Sequence, residues 1–191
     1  MRSLIPAFLI LLSAGSSLGQ SGTAQFAKSP NPQFINRLYY YRADSLSTLE
    51  QVEGSVQTKM KALGFGGSES IYSLDGSRST IRIRAADTLR FALKTGTMMD
   101  DPSRMIRLYW FDSKKGSRET ILSSQGRFSA GKSKPNKNEI AFDVQKSGND
   151  VYLFIPSARL APGEYGFMNV MMMKNTGTNM SYTFSAFGID P

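Results

Sequence analysis

Beyond residue 33 the chain is written largely in period two. Short runs of alternating apolar and polar residues are separated by turn residues, the pattern of half-buried strands. The runs at 35–42, 46–52, 55–63, 70–74, 80–85, 89–95, 105–112, 119–123, 139–146, 150–156, 164–174 and 181–189 all read as strands. Between them lie Gly64-Phe65-Gly66-Gly67, Asp75-Gly76-Ser77, Asp100-Asp101-Pro102, Lys114-Lys115-Gly116, Ser147-Gly148-Asn149 and Ala161-Pro162-Gly163, residues suited to preset or positive φ. Only 45–53 offers a helical turn, and Gly54 ends it. Many short strands without a long helix predict an all-β protein, a single antiparallel β-sandwich, Ig-like or jelly-roll-like, of roughly 9 to 12 strands.

Within this pattern some faces are assigned. Ile106, Leu108 and Trp110 share one side of their strand, which places Trp110 in the core. At 150–156 both sides are apolar, as in a strand flanked by neighbours. Tyr165, Phe167, Met171 and Met173 alternate with Met168, Val170 and Met172, so the methionines, with Met98, Met99 and Met180 nearby in kind, read as adaptable packing rather than a Cu(I) site. In the run Tyr39-Tyr40-Tyr41 adjacent rings point to opposite faces, so either Tyr39 and Tyr41 form one exposed stacking surface while Tyr40 packs inward, or the reverse. At the C-terminus Phe184, Ala186 and Gly188 alternate with Ser185, Phe187 and Ile189, which suits a strand paired inside a sheet.

The N-terminus breaks the pattern. Arg2 precedes the apolar run 4–12 and small residues through Gly19, a secretory signal peptide too short for the roughly 20 residues of a spanning helix. Ser17 and Gly19 place the cut before Gln20, with Ala14 and Ser16 as the second option. The domain plan is therefore a signal peptide at 1–19, a flexible segment at 20–33 with Pro30 and Pro32, and a β-sandwich domain at 34–191. The chain is expected to be exported to the periplasm, the cell surface or the medium, with no transmembrane segment after cleavage.

Composition then narrows the chemistry. The 191 residues include no Cys and no His, so disulfides, thiol nucleophiles, His-based metal sites and Ser-His-Asp triads are excluded. A net charge of +8 falls to +7 when Arg2 leaves with the signal. Its densest cluster, Arg127, Lys132, Lys134 and Lys137, lies in a polar stretch. That stretch reads as a solvated loop, with acidic polysaccharide or anionic head groups as weak partners and no nucleic-acid motif. Residues 126–133 match the P-loop letters G-x-x-x-x-G-K-S, but Lys134-Pro135-Asn136 follows where the phosphate cradle needs a helix, so no nucleotide cofactor is expected. Carboxylates remain as hydrolytic candidates, namely Glu50, Glu53, Asp143, Glu164 and Asp190, and spacing pairs none of them. The triplet Asn179-Met180-Ser181 is a glycosylation acceptor only in a eukaryotic source.

The order of Leu38-Tyr39-Tyr40-Tyr41, Leu49-Glu50, Gly64-Phe65-Gly66-Gly67, Leu74-Asp75-Gly76-Ser77-Arg78-Ser79, Leu160-Ala161-Pro162-Gly163-Glu164-Tyr165-Gly166-Phe167 and Phe187-Gly188-Ile189-Asp190 resembles an uncharacterised group of exported β-sandwich domains of Gram-negative bacteria. The resemblance implies no known activity, cofactor or metal. The expected role is a non-enzymatic envelope or surface interaction module whose partner is an envelope protein or an acidic polysaccharide. A carbohydrate-binding module is the second reading and a carboxylate-dependent glycan hydrolase the third. The candidate binding residues are Tyr39, Tyr41, Arg127, Lys132 and Lys134. Mass spectrometry of the native protein is expected to find Gln20 at or near its N-terminus; an intact Met1 overturns the signal-peptide reading.

Overall fold

The computed structural model describes residues 29–60, 68–96, 101–125, 136–176 and 179–191. Among them are thirteen strands and one short helix. In chain order these are β1 (Leu38–Arg42), β2 (Ser45–Thr48), β3 (Glu50–Met60), β4 (Ser68–Asp75), β5 (Arg82–Arg84), β6 (Phe91–Lys94), α1 (Pro102–Met105), β7 (Ile106–Lys114), β8 (Ser117–Gln125), β9 (Glu139–Ile140), β10 (Phe142–Gly148), β11 (Val151–Pro156), β12 (Gly163–Thr176) and β13 (Asn179–Asp190). The protein is all-β and its sheets are antiparallel, as the alternation predicts; the parallel pairing of β5 with β13 is an exception.

The expected plain sandwich is corrected. One sheet has the order β10-β11-β6-β1-β2 and stays open. The other runs β12-β13-β3-β4-β8-β7, and β7 then pairs back onto β12 from Glu164↔Phe111 to Asn169↔Ile106. That ladder closes six strands into a barrel, and the open sheet packs on the barrel wall. Period two does not distinguish the two outcomes, because a sandwich strand and a barrel strand both alternate inside with outside. Where β7 meets β8 the pairing covers only the hairpin end, Asp112↔Glu119 to Lys114↔Ser117, and β9 takes over the edge of β7 at Leu108 and Tyr109.

Two cores follow from the two faces of the shared wall. Tyr165 and Phe167 of β12, Phe187 and Ile189 of β13, and Ile106 and Leu108 of β7 meet Leu38, Phe91, Leu93 and Phe154 of the open sheet. Phe91 lies 4.8 Å from both Phe167 and Phe187, ring centre to ring centre. The opposite faces of the same strands fill the barrel with Tyr109, Phe111, Met168 and Phe184, joined by Tyr72 and Leu74 of β4. Burial pushes the Tyr109 hydroxyl up to about 12 and raises Tyr72 as well, so both stay neutral at any physiological pH.

Several expectations hold and several do not. β11 lies between β10 and β6, and Phe184, Ala186, Phe187 and Ile189 are fully buried near the C-terminus. Trp110, however, is 38% exposed: Ile106 and Leu108 lie in the interlayer core, and the cover ends at Trp110, which sits against Gly163. The helical turn at 45–53 is absent; that stretch forms β2 and the start of β3. The described helix is α1, where the Asp101 side chain accepts from the Ser103 N–H at 2.9 Å and Pro102 occupies the first turn. The Met171–Met173 and Met180 side chains, Met98, Met99 and the signal segment lie outside what is described.

Gly54 does not end a strand. It sits mid-strand in β3 because the narrow barrel has no room for a side chain there: an added Cβ would lie 2.6 Å from Leu74 Cδ2 and 2.9 Å from Phe184 Cε2. Gly54→Ala is therefore expected to cost about 1–3 kcal/mol by overpacking, whereas Gly96→Ala, with nothing within 4 Å, is expected to be near neutral. Urea denaturation of the two variants decides it, and equal midpoints would contradict a filled barrel.

Candidate functional site

The hydrolytic candidates are settled first, because the fold gathers three of them. At one end of the barrel stand Glu50 at the start of β3, Glu164 at the start of β12 and Asp190 at the end of β13. Three arginines meet them there. Arg118 is only 1% exposed at its side chain; its Nη1 lies 3.2 Å from Glu50 and 3.8 Å from Glu164. Its Nε and Nη2 donate to the carbonyls of Gly76 and Asp75, both at 3.1 Å. Arg82 spans Glu164 and Asp190, and Arg78 adds a second contact to Asp190 at 3.2 Å. The Ser79 N–H donates to Glu164 at 2.7 Å.

The cluster ties β3, β8, β12 and β13 together at this end of the barrel. Glu50 and Glu164 accept from guanidinium or backbone N–H donors, and hydrogen bonds from Arg82 hold the Asp190 carboxyl below the usual carboxylate range. A general acid needs the opposite shift. Of the other two candidates, Glu53 and Asp143 lie exposed on β3 and β10, away from this end in the register.

The predicted binding residues are also relocated. Tyr39 and Tyr41 are each 5% exposed, because β1 is flanked by β2 and β6 and its tyrosines are covered on both faces, so the two form no exposed stacking surface. Arg127, Lys132 and Lys134, and with them the P-loop letters, lie outside the described residues.

Two openings merit comparison. One, of about 450 Å³, is bounded by the β1–β2 hairpin and residues 86–90. Within it Arg42 pairs with Asp87 at 3.1 Å, and the Tyr41 hydroxyl donates to Asp44 at 2.8 Å; Arg90 also lines it. The other, of about 320 Å³, opens where the barrel wall runs out from under the open sheet. Along this wall the apolar row gives way to polar residues. Ser185 of β13 stands between Gln51 of β3 and Phe167 of β12, and one step on lie Thr183 and Asn169. Gln51 Nε2 donates to Ser185 Oγ at 3.0 Å and to the Leu49 carbonyl at 3.3 Å, which holds the carboxamide across the floor.

The other wall of this cleft is the strap 34–38 leading into β1. Asn36 is in the left-handed region at φ 58, which asparagine tolerates, and its N–H donates to the Lys94 carbonyl at 2.8 Å. Phe34 and Ile35 are 51% and 57% exposed, and the Arg37 guanidinium lies 5.9 Å from the centre of the Phe34 ring. Asn36 Oδ1 and Arg37 Nε are buried with no hydrogen-bond partner. Buried polar atoms are nearly always paired, so an acceptor and a donor left open side by side mark this cleft rather than the first opening.

Sequence reasoning missed the strap because it took residues 35–37 as the start of the first strand, which begins at Leu38. Its one signal is an aromatic residue with Asn-Arg directly before a tyrosine strand. Comparison of the chain with protein-family models, curated proteins and solved structures finds no match. The resemblance to exported β-domains therefore rests on the sequence motifs alone.

Gly188, opposite Glu164 in the ladder, gives the Arg82 side chain its passage: an added Cβ would lie 1.6 Å from Arg82 Nη1. Gly188→Ala is expected to displace Arg82 and cost about 3 kcal/mol, as breaking a buried pair does. The contribution of Asp190 has a defined sign. Its folded pKa lies below the unfolded value, so its stabilisation is present above about pH 4 and is lost as the pH falls below that. Denaturation midpoints of Asp190→Asn and the parent are expected to differ at pH 7 and to draw together as the pH falls below the usual carboxylate range; a constant difference refutes the assignment.

Proposed function

We propose that this protein is an exported, non-enzymatic interaction module of the cell envelope, and that the cleft between the strap 34–38 and the barrel wall is its working surface. The observation that carries the reading is the pair of unpartnered buried atoms, Asn36 Oδ1 and Arg37 Nε, beside exposed Phe34 and Ile35. A polar floor with an apolar lip is the composition of a small ligand site, and 320 Å³ falls at the lower end of such sites. The non-enzymatic part is supported by the arginine contacts of Glu50, Glu164 and Asp190, which occupy these groups structurally. Export is supported by the apolar run 4–12 behind Arg2 and the small residues that follow it.

Carbohydrate recognition is the second reading, favoured by the amides and hydroxyls of Gln51, Asn169, Thr183 and Ser185 in the cleft and by the exposed ring of Trp110. A sandwich-type binding face is retained only in the sense that the open sheet and the barrel wall form two packed layers.

The test places a photo-crosslinking amino acid at position 34 or at position 60, whose methionine is 76% exposed at the far end of β3. In intact cells position 34 is expected to yield a discrete adduct with an envelope component, and position 60 none. The same adducts at both positions, or none at 34, refute the cleft as the working surface. Recovery of the protein in the cytosolic fraction refutes export.

A further inference from the structure

We infer that the ligand of this cleft is an acidic saccharide, its carboxylate held by Arg37 and its hydroxyls by the neutral groups of the floor. The inference rests on the reading of the cleft as the working surface and adds the chemistry of what enters it.

Charge is the first argument. Arg37 is the charged residue lining the cleft, and no carboxylate lines it among the described residues; Glu53, opposite Thr183 in the ladder, is not part of the lining. Arg37 forms no ion pair with a described carboxylate, and its one described partner is the face of Phe34. A guanidinium in a confined site favours an anion, and its planar fork matches a carboxylate.

Hydrogen-bond chemistry excludes a simple anion. The floor offers neutral carboxamides and hydroxyls, Gln51, Asn169, Thr183 and Ser185, which bond best to groups that both donate and accept. Asn36 Oδ1 is an acceptor with no partner, and Arg37 Nε, one residue on, is a donor with none. A bare sulfate carries no hydroxyl donor for these groups. A sugar acid presents hydroxyls to the neutral floor beside a carboxylate acceptor for the Arg37 guanidinium. Shape agrees: exposed Phe34 supplies apolar surface for the C–H face of a pyranose ring, while its hydroxyl edge meets the amides. The +7 charge of the expected mature chain also favours encounter with an acidic polymer.

The test is isothermal titration of the whole mature protein with trigalacturonate and with its carboxyl-reduced, neutral counterpart. The acidic trisaccharide is expected to bind at least about tenfold more tightly than the neutral one. Arg37→Gln is expected to erase that difference, with Arg37→Lys restoring part of it. Arg159→Gln, which removes an equal charge outside the cleft, is expected to leave affinity unchanged. Gln51→Ala is expected to weaken both sugars alike, and the melting temperature of each variant verifies folding. Failure to bind trigalacturonate, equal affinity for the two sugars, or equal losses in Arg37→Gln and Arg159→Gln overturns the acidic-saccharide assignment. Any of these results combined with a protein adduct at position 34 keeps the cleft and assigns it to a protein partner. Absence of an adduct at 34 strikes the cleft itself.

Discussion

The ladder between β7 and β12 is the constraint on which the rest of the molecule depends. Without it, the large sheet would be an open layer with two edges. With it, β12 lies between β7 and β13 over Glu164–Met168 and is covered on both sides there: Tyr165 and Phe167 point to the open sheet, while Glu164, Gly166 and Met168 point into the barrel. A strand in that position needs apolar groups on both sides, and each of those sides becomes the centre of its own core. The six-strand circumference then limits what the interior holds. Gly54 and Gly166 are the small residues that let Phe111 and Phe184 meet at a ring distance of 5.5 Å.

Closing a barrel also creates two ends, and one of them is tied together by charge. Three arginines and three carboxylates balance there, with Arg118 fully buried and each of its three nitrogens directed at an acceptor. Buried ion pairs are weak evidence for added stability, since desolvation offsets much of the attraction. Their stronger effect is on specificity: one misplaced partner leaves a charge in low dielectric, so the network tolerates a single arrangement of β3, β8, β12 and β13 at this end.

The cleft arises from a mismatch between the two layers. The open sheet covers the apolar part of the barrel wall and stops, and the wall continues as Gln51, Thr183, Ser185 and Asn169. Residues 34–38 cross this border before entering β1, which brings an aromatic ring, an amide and a guanidinium over a polar floor. The proposed site thus lies where two packing surfaces of unequal extent meet, with Leu38, Ile106 and Phe167 of the interlayer core at its border.

Much of the secondary structure was legible in the chain because alternation is a local property. The strand runs, the neighbours on both sides of β11 and the buried ends of Phe184 and Phe187 all follow from which residues share a face. Local pattern erred where burial depends on what lies opposite. Tyr39 and Tyr41 are covered because β1 is internal, Trp110 is exposed because the cover ends there, and Gly54 continues a strand because Phe184 fills the space across the barrel. The meeting of Glu50, Glu164 and Asp190 with Arg78, Arg82 and Arg118 joins residues up to 112 positions apart, and no spacing rule reaches that far. What the sequence determined by itself was the class of fold, the strands and the chemistries that lacking His and Cys rules out, since these depend on composition and near neighbours. Closure of the barrel, the charge cluster and the cleft were decided only in the tertiary structure, because each depends on which distant strands pair and where one layer ceases to cover the other.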